Sequence, residues 1–515
     1  MSRLRLIAIT VVGLLLVALT VNFIAVPWLP DLGRIGQRDA VQSSRATPSP
    51  ASDATRGPVV ARPGKTSDSS AAGGWPPAAD LVGRARRGST VIRPEPSESS
   101  EVITTLFFDT PLPIIDRQPR DGAPQWYKTR IWGSVEGWVK ASQVDIGPPP
   151  EKVRPFWEGQ APTELNRRPP GEPMPIQATG RTSSAVNLRS APGPDNDLVA
   201  ELEPNVELRI DSWAVGSDSY CWFHASSGEQ SGWVYAGYVD LQLPRRQEGA
   251  GAPIWQPITG RGMWLPANFA ELVNPRYLVE AAKALKLSHL YVEAGESEAG
   301  FFARGTLDSL VPAARAAGIR VIAWITVSLA DVPRDVALTA EVASYRTPEG
   351  YQIDGVAADL EQNLDLDDVK TYAQVVRLTV GPDRLLVATI FPARSWMGRT
   401  YPAHRVLAPI FDAITPMAYW NDEERSYSYQ EVHEFTHQAV CQMREEVGNP
   451  NYPVALIGQM YDTFGRNGIG QHSPTAEEIR AAMQGAKDAG AVGISFFQWG
   501  TATPEEWEAF RTFPW

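Results

Sequence analysis

The chain has 515 residues, of which 43% are hydrophobic and 21% charged, and its 47 Lys and Arg against 59 Asp and Glu give a formal net charge of −12. That length predicts several domains, and the acidic balance excludes nucleic acid as a main partner because no broad cationic face would neutralise phosphates. Cys221 and Cys441 provide neither a disulfide scaffold nor a cysteine-rich zinc module, and they are expected as two unpaired thiols in different domains.

The N-terminus carries a membrane signal. Arg3 and Arg5 precede an uncharged apolar run from Leu6 to Val26, and about 20 apolar residues cross a hydrocarbon core. A cleaved signal peptide has a shorter apolar region and a small-residue cleavage site, and Asn22-Phe23-Ile24 before Ala25 is a poor one. Residues 1–30 are therefore predicted as a single-pass membrane anchor with a cytoplasmic N-terminus. Cleavage would secrete the chain instead; either way the bulk is extracytoplasmic. Residues 31–79, rich in Pro, Ser and Ala, bury too little apolar surface to fold and predict a flexible tether.

Two alternating, turn-broken segments follow at 80–147 and 177–243, separated by a Pro-rich linker at 148–176 and followed by another at 244–259. The second contains Val186-Asn-Leu-Arg-Ser-Ala-Pro and Gly232-Trp-Val-Tyr; the first contains Val91-Ile-Arg-Pro and Gly137-Trp-Val-Lys. The Gly-Trp-Val motifs lie about 95 residues apart, a tandem repeat of small all-β modules. Both resemble bacterial SH3-like (SH3b) domains, the second more strongly. That resemblance implies small barrels that bind cell-wall peptide or glycan, or act as spacers. Trp126, Trp138, Trp222 and Trp233 are candidates to stack on ligand, although core packing is the favoured reading for Trp138 and Trp233.

From residue 260 to 515, short apolar runs alternate with amphipathic, helix-length stretches. The runs begin at Gly262, Leu290, Val321, Gly355, Leu385, Ala413, Val454 and Gly493. Residues 277–286, 307–317, 369–379 and 476–489 show helical apolar spacing, with Gly318 and Gly490 where C-terminal caps belong. Eight β/α units predict a parallel (β/α)8 TIM barrel. An open doubly wound sheet is the alternative, but no Gly-x-Gly-x-x-Gly follows the first run.

Barrel chemistry sits at the C-terminal ends of the strands. Those ends offer Trp264, Glu293, Trp324 and Thr326, then Asp359 and Glu361, then Met417, Tyr419, Asn421 and Asp422. The last two strands offer Gln459, Met460, Tyr461 and Asp462, and then Gln498 and Trp499. Carboxylates, amides and aromatic rings together suit a sugar, whose C–H faces stack on rings and whose hydroxyls need polar partners. Asp359 and Glu361 are the sharpest pair: residues i and i+2 of a strand point the same way, and close carboxyls raise one another's pKa, the condition for a general acid near neutral pH. A solvated or helix-capping pair is the structural alternative.

Ile353-Asp-Gly-Val-Ala-Ala-Asp-Leu-Glu361 resembles the strand-four signature of family 18 (chitinase-like) glycoside hydrolases, Asp-Gly-x-Asp-x-Asp-x-Glu. Met417-Ala-Tyr419 and Trp499 resemble that family's Met-x-Tyr and its sugar-site Trp. The resemblance implies Glu361 as general acid/base, Asp359 orienting the substrate's own acetamido nucleophile, and Tyr419 hydrogen-bonding that group, with retention and no cofactor or metal. The chain departs from the pattern at Ala357, where the family has a charge-relaying Asp, and at Trp420, where many members have Asp. A catalytically degenerate, glycan-binding scaffold is therefore an alternative.

His433-Glu-Phe-Thr-His437 formally matches a zinc-peptidase motif, with Glu434 as its base. It falls in the helix after strand six, on the outer ring, with no evident third ligand. A zinc metallopeptidase is the third reading, disfavoured by that placement. The favoured expectation is a membrane-anchored hydrolase of β-1,4-linked N-acetylated glycan, peptidoglycan or chitin-like.

Overall fold

The computed structural model describes residues 82–86, 90–106, 110–146, 168–246, 251–362, 365–393, 402–420, 427–461, 463–464, 471–472, 474–500 and 502–515. The predicted anchor, the tether and most of the linker at 148–176 lie outside the described residues. Among the described residues no helix is long and apolar enough to cross a membrane.

The sequence repeat is a structural repeat. The first module has strands Val82–Ala85, Thr90–Ile92, Thr104–Leu106, Pro111–Gln118, Trp126–Ile131, Val135–Lys140 and Val144–Ile146. The second has Met174–Thr182, Val186–Arg189, Leu198–Leu202, Glu207–Val215, Cys221–Ser227, Gln230–Tyr235 and Val239–Leu241. The opening strand of the second begins at Met174, inside the stretch read as linker, and in each module a single 3-10 turn precedes the last strand. The shared Gly-Trp-Val has a steric cause. A Cβ on Gly137 would fall 2.4 Å from Ile92 Cγ2, and one on Gly232 would fall 2.6 Å from the Arg189 carbonyl oxygen. Only glycine lets the strand cross its neighbour there. Trp222 and Trp233 are buried in a small cluster with Ala214, so their rings are core.

The C-terminal domain alternates as the spacing predicts. Its strands are β1 (Gly260–Leu265), β2 (His289–Glu296), β3 (Arg320–Thr326), β4 (Gly355–Asp359), β5 (Leu385–Ile390), β6 (Ala413–Pro416), β7 (Ala455–Gln459) and β8 (Gly493–Phe497). The principal helices between and after them are α1 (Pro275–Ala284), α2 (Arg304–Ala316), α3 (Val332–Ser344), α4 (Leu366–Val380), α5 (Ala403–Leu407), α6 (Tyr429–Val447), α7 (Ala476–Asp488) and α8 (Pro504–Thr512). Gly318 and Gly490 follow α2 and α7 with φ of +75° and +69°, the left-handed cap their positions anticipated. Hydrogen-bonded neighbours run β6-β5-β4-β3-β2-β1-β8-β7, all parallel. Parallel bridges Ile414–Val454 and Met417–Ile457 join β6 to β7, so the sheet closes and the open doubly wound alternative is set aside. Closure separates the apolar residues into two layers. Trp264, Tyr291, Ile322, Trp324, Ala357, Val387, Ile457 and Phe497 fill the axis, while the alternate strand residues pack outward against the helices.

Both modules dock on this barrel. The second lies on α4: Tyr235 OH donates to Asp367 Oδ2 at 2.9 Å, Lys370 Nζ to the Gly237 carbonyl at 3.0 Å, and the Gln374 amide bonds the backbone of Leu241 and Val239. Helix α4 is consequently buried on more than one face, including Asp368, Thr371 and Gln374, as a helix between two layers must be. The first module inserts Trp132, which is 5% exposed, edge-on against Phe269 and Trp499 at centroid distances of 5.8 and 5.7 Å. Trp132→Ala is expected to cost about 3–5 kcal/mol and to free the first module. Thermal unfolding and limited proteolysis would show it as an earlier, separate transition; a single unchanged transition would mean that this ring does not hold the module.

Candidate active site

The C-terminal ends of the strands gather a ring of aromatics around two carboxyls. Asp359, the last residue of β4, is 4% exposed, and its Oδ2 accepts the Trp324 indole N–H at 3.1 Å. Glu361, two residues on, is part-buried and close enough to Asp359 for each to alter the other's ionisation. Burial pushes both pKa values up, and the neighbouring Asp359 raises Glu361 further, because two adjacent carboxyls in a dry site resist ionising together. The phenol of Tyr419 is likewise held well above its usual range, first by burial and then by Tyr461, Glu361 and Asp359.

The rings continue the wall. Tyr419 meets Tyr461 at 5.4 Å and Phe497 at 6.4 Å; Phe497 meets Tyr461 and Trp324, each at 5.8 Å. Beneath them Trp264 stacks on Tyr291 at 4.1 Å and meets Trp324 edge-on at 5.1 Å. Glu293, on β2, is 4% exposed and accepts the Ala267 N–H at 2.7 Å. Burial lifts its carboxyl to about 7, with Glu296 and Asp359 adding to the shift and the Ala267 bond opposing it. Met417 and Gln459 are buried at the ends of β6 and β7, the Gln459 amide donating to the Tyr461 carbonyl at 3.2 Å. Gln498 is half-buried after β8. Asn421, Asp422 and Asp462 lie outside the described residues.

Three residues sit differently from the sequence reading. Trp264 is 1% exposed and bonds Ser495 Oγ through its indole N–H at 2.8 Å; it supports Trp324 and offers no free face. Trp499 joins the outer cluster of Trp132, Phe269 and Trp507. Strand β8 ends at Phe497, so the two-residue alternation does not extend to Trp499, and Phe497 takes the inward place. Trp420 is also fully buried in the outer layer, so its ring does not shape the mouth. Phe497, absent from the predicted site, belongs to its wall, and Tyr291, fully buried, supports it from beneath together with Trp264. The alternation counted from Ser495 to Phe497 is the signal that marks the former.

The His-Glu-x-x-His segment lies on α6, where Val432, Thr436, Ala439, Val440 and Met443 pack inward. His433 Nε2 bonds Asp488 Oδ2 at 2.9 Å, Glu434 accepts from the Gln438 amide at 2.8 Å, and His437 faces Cys441. Among the described residues no group of three metal-ligating side chains converges. Each member of the motif is thus occupied along the helix or with α7. Glu434→Gln is expected to leave sugar release from cell-wall glycan within about twofold, and a chelator to leave it unchanged; loss of activity in both would revive the peptidase reading. Cys221, buried, and Cys441, half-buried, are both unpaired thiols.

Residues 88–145, within the first module, match the family model described as "Bacterial SH3 domain". Part of the chain is similar to the spore cortex-lytic enzyme SleL of Bacillus cereus (14% identity, 56% of this chain and 79% of that one, TM-score 0.39). It is similar also to a chitinase from Rhizomucor miehei (14% identity, 49% of this chain and 99% of that one, TM-score 0.37). A class V chitinase mutant from Cycas revoluta, solved with (GlcNAc)3, is a third (12% identity, 49% and 99% coverage, TM-score 0.38). No curated protein matches the chain.

Proposed function

We propose that the C-terminal barrel is a glycoside hydrolase cleaving β-1,4-linked N-acetylated glycan of the cell wall. The observation that carries this reading is the Asp359–Glu361 pair, held at the C-terminal end of a central barrel strand and walled by Trp324, Tyr419, Tyr461 and Phe497. Burial and mutual repulsion favour a retained proton on Glu361, which a general acid needs. An ionised Asp359 beside it would hold the acetamido nitrogen as the substrate's carbonyl oxygen attacks the anomeric carbon, and Tyr419 would donate to that group. Glu361 would then take the proton of the incoming water, giving retention.

Peptidoglycan is favoured over a chitin-like polymer because two SH3-like modules and an N-terminal apolar run suit an immobile wall substrate beside a membrane. Tethering raises the effective concentration at such a surface. Ala357, buried in the axial layer where the family resemblance expects a relay Asp, favours a second reading as a glycan-binding scaffold. The test is release of soluble sugars from purified peptidoglycan and from N-acetylglucosamine oligomers by the full-length chain. Release with retained anomeric configuration supports the hydrolase. Binding without release supports the scaffold, and neither would overturn both.

A further inference from the structure

The order in which the two carboxyls ionise depends on what else bonds Asp359. Asp359 Oδ2 has the Trp324 N–H at 3.1 Å, while its Oδ1 is buried without a hydrogen-bond partner. Two residues back, fully buried Ala357 brings no polar atom to the site. The other titratable groups acting on the pair are Glu293 from β2 and Tyr419 after β6, with Tyr461 behind Tyr419. None of these is cationic. Besides Glu361, its partner in the pair, the indole N–H is the hydrogen-bond donor that the described residues hold against Asp359, and it is the larger of the two influences favouring the ionised form.

That donor is fixed in place. The Trp324 ring is 5% exposed, met edge-on by Trp264 at 5.1 Å and by Phe497 at 5.8 Å. Trp264 is itself pinned by its stack on Tyr291 and its bond to Ser495. The ring cannot turn its N–H elsewhere without displacing the axial layer. A donor aimed at a carboxylate favours the charged form, and a preorganised donor does so without reorganisation during reaction.

We propose that Trp324 is a positioning residue that makes Asp359 the ionised member of the pair, leaves the Asp359 Oδ1 lone pairs for the substrate, and keeps the proton on Glu361. This deepens the glycosidase reading and rests on it for the consequence, though not for the bond itself. The indole does by hydrogen bonding what a cation would do by charge, and Ala357 leaves room for a ring of this size beside it, the two residues being paired in register across β3 and β4.

The test uses the full-length chain and Trp324→Phe, which keeps an aromatic plane but has no N–H. The acidic limb of the pH–rate profile should move to higher pH, because an unbonded Asp359 ionises later; the bell narrows, and kcat at the original optimum falls about tenfold or more with KM little changed. A merely structural ring would lower activity without moving the limb. A second readout needs no turnover: the Trp324 indole 15N–1H resonance, identified by its loss in Trp324→Phe, should titrate in the wild-type chain and stop titrating in Asp359→Asn. An indole that titrates in a chain without turnover would uphold the positioning and sink the hydrolase. Turnover with an unmoved limb, or an indole that does not sense Asp359, would overturn the proposal and leave the hydrolase standing.

Discussion

Glu361→Gln is expected to lower glycan turnover by about 100- to 10,000-fold, the range associated with one general acid/base, while binding of the same glycan persists. Gln preserves the shape of the side chain and removes its ionisable proton. It also removes one of two adjacent carboxyls whose burial opposes ionisation, so the fold should not suffer. The loss should depend on the leaving group. An aryl glycoside with an acidic phenol departs without protonation and should lose less in its first step than an N-acetylglucosamine oligomer, whose sugar alcohol needs the proton. Sugar release, aryl-glycoside hydrolysis and oligomer binding measured on one preparation would establish this. Unaltered release would remove Glu361 from the mechanism and turn attention to Glu293, the other buried carboxyl at this mouth with a raised pKa.

The alternation of the barrel was legible because each β/α unit states its period locally: a run such as Leu385–Ile390 is apolar except for Thr389 and fully buried, and the helices carry their stripe and cap. The carboxyl pair was legible as a motif, Asp-x-Glu at the end of an apolar run, because β4 closes at Asp359 and strand parity alone does not carry to Glu361. What parity cannot reach is a side chain beyond the strand. Trp499, counted onward from β8, is the error of that kind, and Phe497 is the residue that the count hid. Domain contacts were illegible for a different reason. Trp132 meets Phe269 and Trp499, and Tyr235 meets Asp367, across more than a hundred residues of chain, and neither member of either pair carries a mark of its partner.

These docking contacts bear on the site. Helix α4 begins seven residues after Asp359 closes β4, and its first turn receives the second module through Asp367, with Tyr220 OH also bonding Asp365 at 3.0 Å. The first module reaches Trp499, whose backbone N–H bonds the Trp264 carbonyl at 3.1 Å, just past the end of β8. Both modules therefore brace segments at the face that holds the carboxyl pair, from β4 on one side and β8 on the other. The modules are thus built onto the barrel instead of being strung freely ahead of it.

Asp359→Asn separates function from stability by sign. Turnover should fall by about 100-fold or more, since an uncharged amide cannot stabilise the positive charge that develops on the substrate acetamido group, yet the fold should become more stable near neutral pH. Burial raises the Asp359 pKa above its unfolded value of about 3.9. A carboxyl whose folded pKa is raised binds its proton more tightly in the native state, so its ionisation opposes folding increasingly as pH rises from the unfolded value through the folded one. Below pH about 4 both states hold the proton and the wild type bears no such cost. Asn, which never ionises and still accepts the Trp324 N–H, escapes the cost throughout. Thermal unfolding of the two chains should converge near pH 3.5 and diverge on approach to pH 8, the variant unfolding higher, by about 2–4 °C for each kcal/mol relieved. A variant less stable at pH 8 would make Asp359 a structural carboxylate, and the loss of turnover would then report damage to the fold instead of chemistry.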